Sequence, residues 1–364
     1  MFRNLADYSI SVFSPLRVFN SVTFCGILAL MAAFIFALWL MPRVIRFLTR
    51  AHATENMSKE SVLIERQHAS KTGTPTMGGV VIVASLLFAA VLFCDLQNPL
   101  MWTGILVFAG NGLIGFIDDL VKLKGWEKHG LNKRQKTLGL LLVAGAAAWL
   151  FSQTAGPETT KLLLPIANVK YVLPDLGWLY YPYFVFVLYA CTNAVNLTDG
   201  LDGLASGCAI TVSAAFAVFA YVAGTPALSA YLRVPGVDGC GELCVLALAL
   251  IGAVMGFLWF NAHPARIFMG DTGSLAVGGL IGYIALASKQ EVALIIAGGV
   301  FVAEALSVII QIISYRGWGK RVFLCAPLHH HLELSGWKEN HIVARLWMIG
   351  AVCAAAAVGT LKLH

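Results

Sequence analysis

The chain has 364 residues, of which 59% are hydrophobic and 12% charged; a soluble globular domain carries about a quarter charged residues. So few polar side chains could not cover a water-soluble fold of this length, which excludes that class. The net charge of +6 does not point to nucleic acid either, because the basic residues are spread over several loops and form no nucleic-acid motif. Residues 1–20 carry Arg3, Asp7 and Arg17 but no compact apolar stretch with a small-residue cleavage site, so no cleavable signal is expected.

Long uncharged runs such as Ser21 to Leu40 and Val81 to Cys94 match the roughly 20 apolar residues that cross a bilayer. They predict an all-α integral membrane protein, a single polytopic domain over 1–364. About ten transmembrane helices are expected, near 21–41, 76–95, 101–121, 137–153, 181–198, 203–223, 242–260, 273–288, 291–313 and 341–361. The connections 42–75, 122–136, 199–202, 261–272 and 314–340 hold 17 Lys and Arg against 7 on the opposite side. The positive-inside rule then makes the first set cytoplasmic and both termini periplasmic. The outer segment 154–180, with Pro157, Pro165 and Pro174 and the alternating stretch Asn168 to Leu173, suggests a small hairpin or surface helix. The eight cysteines read as small hydrophobes, with Cys240 and Cys244 the one close pair that a disulfide could join.

Polar residues collect on the cytoplasmic connections, where ionisable groups near hydrocarbon are costly unless paired, hydrated or functional. The first cluster, Ser70 to Gly79, has Gly and hydroxyl residues around Lys71, which suits phosphate but lacks the Walker A order. It would also serve as a flexible loop. The second is Asp118-Asp119 at a helix end. Such a pair suits a divalent cation, or one base with its positioner, or plain solvation with Lys122 as partner.

In Asn193 to Gly203, Asn193 and Asn196 share a helix face, as do Asp199 and Asp202 if the helix continues. Asn261 to Ser274 sets Asp271 between Gly270 and Gly273 at a helix start, where it could hold a cation bridging to phosphate or simply cap the helix. The last cluster is His329-His330-His331 with Glu333. Three contiguous His cannot share one helix face, so one zinc site from all three is not expected; their donors suit phosphates or sugar hydroxyls.

Taken jointly, GFIDDLVK, NAVNLTDGLDG, FMGDTGS and APLHHHLE, in this order and spacing, resemble the polyprenyl-phosphate N-acetylhexosamine-1-phosphate transferases over essentially the whole chain. Within that family the triple His followed by Leu-Glu is similar to the branch with a muramoyl donor. The resemblance implies ten spans, a homodimer and Mg²⁺ dependence. The implied partners are UDP-MurNAc-pentapeptide and undecaprenyl phosphate, with lipid I and UMP as products, at the cytoplasmic face of a bacterial inner membrane.

Carried onto these residues, the resemblance makes Asp271 a Mg²⁺ ligand and Asp118 and Asp119 catalytic carboxylates that also face the metal. Lys71 would meet phosphate, while Asn193, Asn196 and Asp199 would position phosphates or metal. Gly200, Leu201, Asp202 and Phe268 would form the uridine pocket, with Asn261 among the substrate-binding residues. His329, His330 and His331 would line the substrate site, His329 as a catalytic group. Direct attack by the lipid phosphate and a covalent carboxylate intermediate both fit; direct attack is preferred, because a lipid phosphate is already a nucleophile.

Two other readings compete. One is a UDP-N-acetylglucosamine transferase, separated by the His cluster. The other is a transporter, whose ionisable groups would sit near the midplane. Glu304 and Gln311, inside the ninth expected span, would suit it.

Overall fold

The computed structural model describes residues 14–51, 73–123, 130–154, 156, 159–164 and 175–362. Among these the structure is helical, with no strand; Lys161 and Asp175 form an isolated antiparallel bridge. The stretch Asn168 to Leu173 lies outside the described residues. Thirteen α-helices carry the fold among them: α1 (Val22–Arg50), α2 (Gly79–Phe93), α3 (Pro99–Leu123), α4 (Lys133–Gln153), α5 (Tyr180–Thr198), α6 (Leu204–Ala223), α7 (Pro226–Leu232), α8 (Gly241–Asn261), α9 (Gly270–Ala287), α10 (Glu291–Ala297), α11 (Gly299–Trp318), α12 (Leu328–Leu334) and α13 (Glu339–Gly359).

Each of the ten expected segments overlaps a helix, and among the described residues eight helices are long and apolar enough to cross a membrane. The chain is a multi-pass membrane protein. The differences from expectation have local causes. The first helix runs to Arg50 rather than residue 41, because Arg43, Arg46 and Arg50 extend it beyond the apolar run. A capping box of Asn132 and Gln135 starts α4 at Lys133, four residues early. The ninth expected segment breaks at Gly298 into α10 and α11. Cys240 and Cys244 are both free and buried, so the suggested disulfide is not formed.

Helices in lipid gain little from the hydrophobic effect and pack best where small residues let backbones approach. Along α1, Cys25, Ala29, Ala33, Ala37 and Met41 recur every four residues and are fully buried, while Ile27, Met31, Ile35 and Trp39 face outward. That inner stripe lies on α8, where a methyl on Gly252 would fall on the carbonyl oxygen of Leu30.

The innermost helix is α9, buried at every residue from Thr272 to Ala287. It packs on α3 and α5, with α6 and α2 also touching it. Glycine decides how closely its first turn is approached. A Cβ on Gly115 of α3 would collide with the backbone of Asp271, and one on Gly79 of α2 would collide with the amide of Gly273. Gly115 precedes Asp118 by one helical step of three, so the same contact brings the Asp118-Asp119 pair to the start of α9.

Candidate active site

At that start the four N–H groups of the first turn have no helical partner. Met269 occupies the cap position without a capping side chain. The cap comes from across the bundle. Asp119 accepts the amide of Asp271 (3.2 Å) at Oδ1, and the amide (3.0 Å) and hydroxyl (2.6 Å) of Thr272 at Oδ2. Asp271, one of the two roles left open for it, is therefore not the cap. It lies in the first turn with its carboxylate turned toward α3, α4 and α5.

Two lysines meet it there. Lys122 Nζ lies 2.7 Å from Asp271 Oδ2 and 2.8 Å from Asp118 Oδ2. Lys136, from the first turn of α4, lies 2.9 Å from Asp271 Oδ2 and 3.6 Å from Asp118 Oδ2. Asn196, near the end of α5, donates to Asp271 Oδ1 (2.6 Å) and to Ser274 Oγ (2.8 Å). Asp118 Oδ1 accepts the amide of Leu131 (2.7 Å), which fixes its rotamer. Asp118 and Asp119 are buried, while the Lys122 side chain is 42% exposed, so the cluster opens to the surface through the lysines.

Asp118, Asp119 and Asp271 each offer an oxygen within 4.8 Å of the others. An all-oxygen set of three carboxylates fits a hard divalent cation such as Mg²⁺ or Ca²⁺ better than a soft one. Lys122 and Lys136 supply two ammonium groups against three carboxylates, leaving an excess negative charge that a cation would balance.

Beside this cluster the turn after α5 and the loop after α8 are stapled together. Asn261, buried, accepts the amide of Gly203 (3.0 Å) and donates to the carbonyl of Ile267 (2.9 Å). Asp202 Oδ2 lies 3.0 Å from both His263 Nδ1 and the Ala265 amide, while its own amide donates to Glu339 (2.9 Å). Leu201 is buried and Phe268 half-buried. The Phe268 backbone pairs with Pro75 and Gly78, tying the loop to the start of α2. Asp199 caps the C-terminus of α5, and Gly200 abuts His329.

The three His fan out as their spacing requires. His329 Nδ1 faces Glu304 (3.1 Å), His330 Nδ1 faces Glu333 (2.7 Å), and His331 Nδ1 accepts the amide of Leu324 (3.2 Å).

Not every expected residue joins the cluster. Asn193 donates back to Tyr189 of its own helix, so of the two Asn it is Asn196 that meets Asp271. Lys71 lies outside the described residues. Lys136 was missed: it stands in a basic run, Lys133 to Lys136, whose sequence does not mark which cation turns inward.

Carboxylates, lysines and a helix start brought together at the end of membrane helices suit a membrane enzyme that handles anionic substrates. Comparison with known proteins agrees. The model of glycosyl transferase family 4 matches residues 100–289, and the phospho-N-acetylmuramoyl-pentapeptide-transferase signature 1 matches residues 71–83. The chain is 45% identical to the phospho-N-acetylmuramoyl-pentapeptide-transferase of Maridesulfovibrio salexigens, over 96% of both chains. It is 43% identical to that of Oleidesulfovibrio alaskensis, over 98% of both, and 44% identical to that of Desulfovibrio desulfuricans, over 100% of both. The chain belongs to the phospho-N-acetylmuramoyl-pentapeptide-transferase family, and is a phosphoglycosyl transferase.

Proposed function

We propose that this protein moves phospho-MurNAc-pentapeptide from UDP-MurNAc-pentapeptide to undecaprenyl phosphate, releasing UMP and forming lipid I. The observation that carries the reading is the Asp118, Asp119 and Asp271 cluster facing Lys122 and Lys136. It occurs in a chain related over its full length to transferases of that name. The donor is a diphosphate and the acceptor a monoester, so bringing them together requires neutralised charge and alignment. The triple His and full-length identity favour the muramoyl donor over UDP-N-acetylglucosamine, and a transporter has no comparable support.

The reaction is a single displacement. An oxygen of the lipid phosphate attacks the sugar-linked phosphorus, the bond from that phosphorus to the UMP oxygen breaks, and UMP leaves with the electron pair. Lys122 and Lys136 attract both anionic substrates to the open edge of the cluster. Asp118, fixed by Leu131, orients the acceptor and takes any proton it carries. Asp119, already engaged by the amides of α9, keeps Asp271 in place. Mg²⁺, held by Asp271 with Asp118 and Asp119, would neutralise charge on the transferring phosphoryl group. Asn196 fixes the Asp271 carboxylate, while Gly200, Leu201, Asp202 and Phe268 hold the uridine between the two stapled loops.

The same reading includes ten spans in one polytopic domain, both termini periplasmic, the site on the cytoplasmic face of the inner membrane, and a homodimer. The Lys and Arg bias supports the orientation, and the family resemblance supports the rest.

The test is UMP release by purified protein with Mg²⁺ and undecaprenyl phosphate, given UDP-MurNAc-pentapeptide or UDP-N-acetylglucosamine in parallel. Release with the first donor alone is expected. Release only with the second would reassign the substrate, and silence with both in folded protein would overturn the transferase reading.

A further inference from the structure

Glu304 is an acid with no exposed surface, on the buried face of α11 with Val300 and Ser307. A carboxylate there is costly unless it is paired. Its partner is His329, itself 1% exposed: Oε2 lies 3.1 Å from His329 Nδ1 and accepts the His329 amide at 3.3 Å. The pair has two loose ends. Glu304 Oε1 and His329 Nε2 are buried and have no hydrogen-bond partner among the described residues.

Nε2 has a definite aim. A methyl on Gly200 would fall on that atom, and the backbone of Gly200 does not adopt the left-handed conformation that favours glycine. Glycine stands at position 200 for space, and what fills the space is the free edge of the His329 ring. The His330 ring lies against that of His329, with the two centroids 4.2 Å apart.

Another buried acid–base pair, Lys289 with Glu291, leaves only one carboxylate oxygen without a partner among the described residues, whereas here both members of the pair are left with an unsatisfied atom. Two buried ionisable groups, each with an unsatisfied atom, are less favourable than apolar side chains of the same volume. The polarity therefore serves something that approaches Nε2. A carboxylate on Nδ1 fixes the proton there and leaves a lone pair on Nε2. That lone pair accepts from a hydroxyl or an imide N–H, both of which a uridine nucleotide carries.

We propose that Glu304 is a positioning residue for the donor nucleotide. Through His329, whose Nε2 packs against Gly200, it sets the Asp199–Asp202 turn, and displacement of that turn by the nucleoside half of the donor gives Nε2 its hydrogen-bond partner. The inference rests on the transferase reading and adds to it a residue buried out of reach of substrate.

The test compares Glu304→Gln and Glu304→Leu in the full-length enzyme. It measures UMP release against each substrate separately, UMP binding by calorimetry, and thermal unfolding. Leucine cannot accept from Nδ1. Its variant should raise KM for UDP-MurNAc-pentapeptide and Kd for UMP about tenfold, the scale of one lost buried hydrogen bond, with KM for undecaprenyl phosphate unchanged. Glutamine can accept from Nδ1 and should restore both constants to within about threefold, on the same scale. Equal losses in both KM values and kcat, without rescue by glutamine, would make Glu304 a strut and overturn the proposal, as would no change in either variant.

A double-mutant cycle tests the turn itself. Gly200→Ala should weaken UMP binding strongly in the wild type and little in His329→Ala, because the obstructing ring is gone. Additive losses would overturn the link. Wild-type enzyme that releases no UMP from this donor sinks the transferase reading, and the proposal falls with it; active wild type leaves the variants alone to decide.

Discussion

The two ends of α9 both carry buried charge, and they are built differently. At its start three carboxylates meet two lysines, and the Lys122 side chain is 42% exposed. Just past its end Lys289 meets Glu291 one to one, with neither side chain more than 2% exposed. Lys289 Nζ lies 3.1 Å from Glu291 Oε1, donates to the carbonyl of Thr159 (2.7 Å) and sits 4.0 Å over the Tyr180 ring. Tyr180 donates to the same Glu291 oxygen at 2.8 Å. Burial pushes the Lys289 ammonium below its ordinary value, and the attraction of Glu291 works against that shift.

The far end is balanced in charge and closed to the surface, with Glu291 Oε2 its one orphaned atom among the described residues, and it places a cation at a helix C-terminus, where the dipole favours it. The near end has excess acid and an opening, which is what a site that takes up cations and phosphates requires. Charge balance and access, more than burial, separate the proposed working cluster from the tie.

The comparison breaks most visibly at Asp271. Asp271→Ala should lower UMP release on the order of a thousandfold, the scale expected when a metal's help in charge stabilisation is lost. The melting temperature should stay close to wild type, because the cap of α9 is Asp119. Chelation with EDTA should silence the wild type and Mg²⁺ should restore it; activity unaffected by chelation would remove the metal from the reading. Lys289→Met should do the opposite. Leaving Glu291 buried without its cation costs about 3–5 kcal/mol, so the protein should melt earlier, while kcat below the melting range changes little. An inactive but fully stable Lys289→Met would mean that the far end also serves the reaction.

Asp119 stands between these cases, because its carboxylate both joins the acidic cluster and caps α9. Asp119→Asn should lose activity and also about 1–2 kcal/mol of stability, because one of its two accepting oxygens becomes an amide nitrogen that cannot accept from the α9 donors. Asp118→Asn should lose activity alone. Equal melting of the two variants would deny Asp119 its capping role.

How much of this was legible beforehand depends on the scale of each signal. Apolar runs of about 20 residues located all eight helices that are long and apolar enough to cross a membrane among the described residues, since backbone groups in hydrocarbon must bond within their own segment. Asp118-Asp119 and Asp271 stood out because acids are rare at such positions. That Asp119 would cap α9 from another helix was not legible: a cap is normally sought within a few residues of the helix start, and this one comes from 152 positions away. The break at Gly298 was hidden inside an apolar run that would suit an unbroken helix equally well. The capping box at Asn132 and Gln135 was in plain view, but the search for a span began at the apolar residues after it. Glu304 was visible as an odd acid in a span, while its partner lay 25 residues on.

The smallest effect is expected at Lys136, and it sharpens the comparison most. Lys122 touches both Asp118 and Asp271 closely, whereas Lys136 is close only to Asp271 and lies 3.6 Å from Asp118. If the lysines merely balanced the acids, as Lys289 balances Glu291, then Lys136→Met would leave an unpaired acid and lower the melting temperature. If they receive phosphate, Mg²⁺ can take over the balancing and stability should hold. The loss should then appear in substrate binding, as a KM for UDP-MurNAc-pentapeptide raised about tenfold, the scale of one charge-assisted hydrogen bond. Steady-state kinetics and a melting curve on the same Mg²⁺-loaded sample separate the two. A lowered melting temperature with unchanged KM would make the near end a tie like the far one.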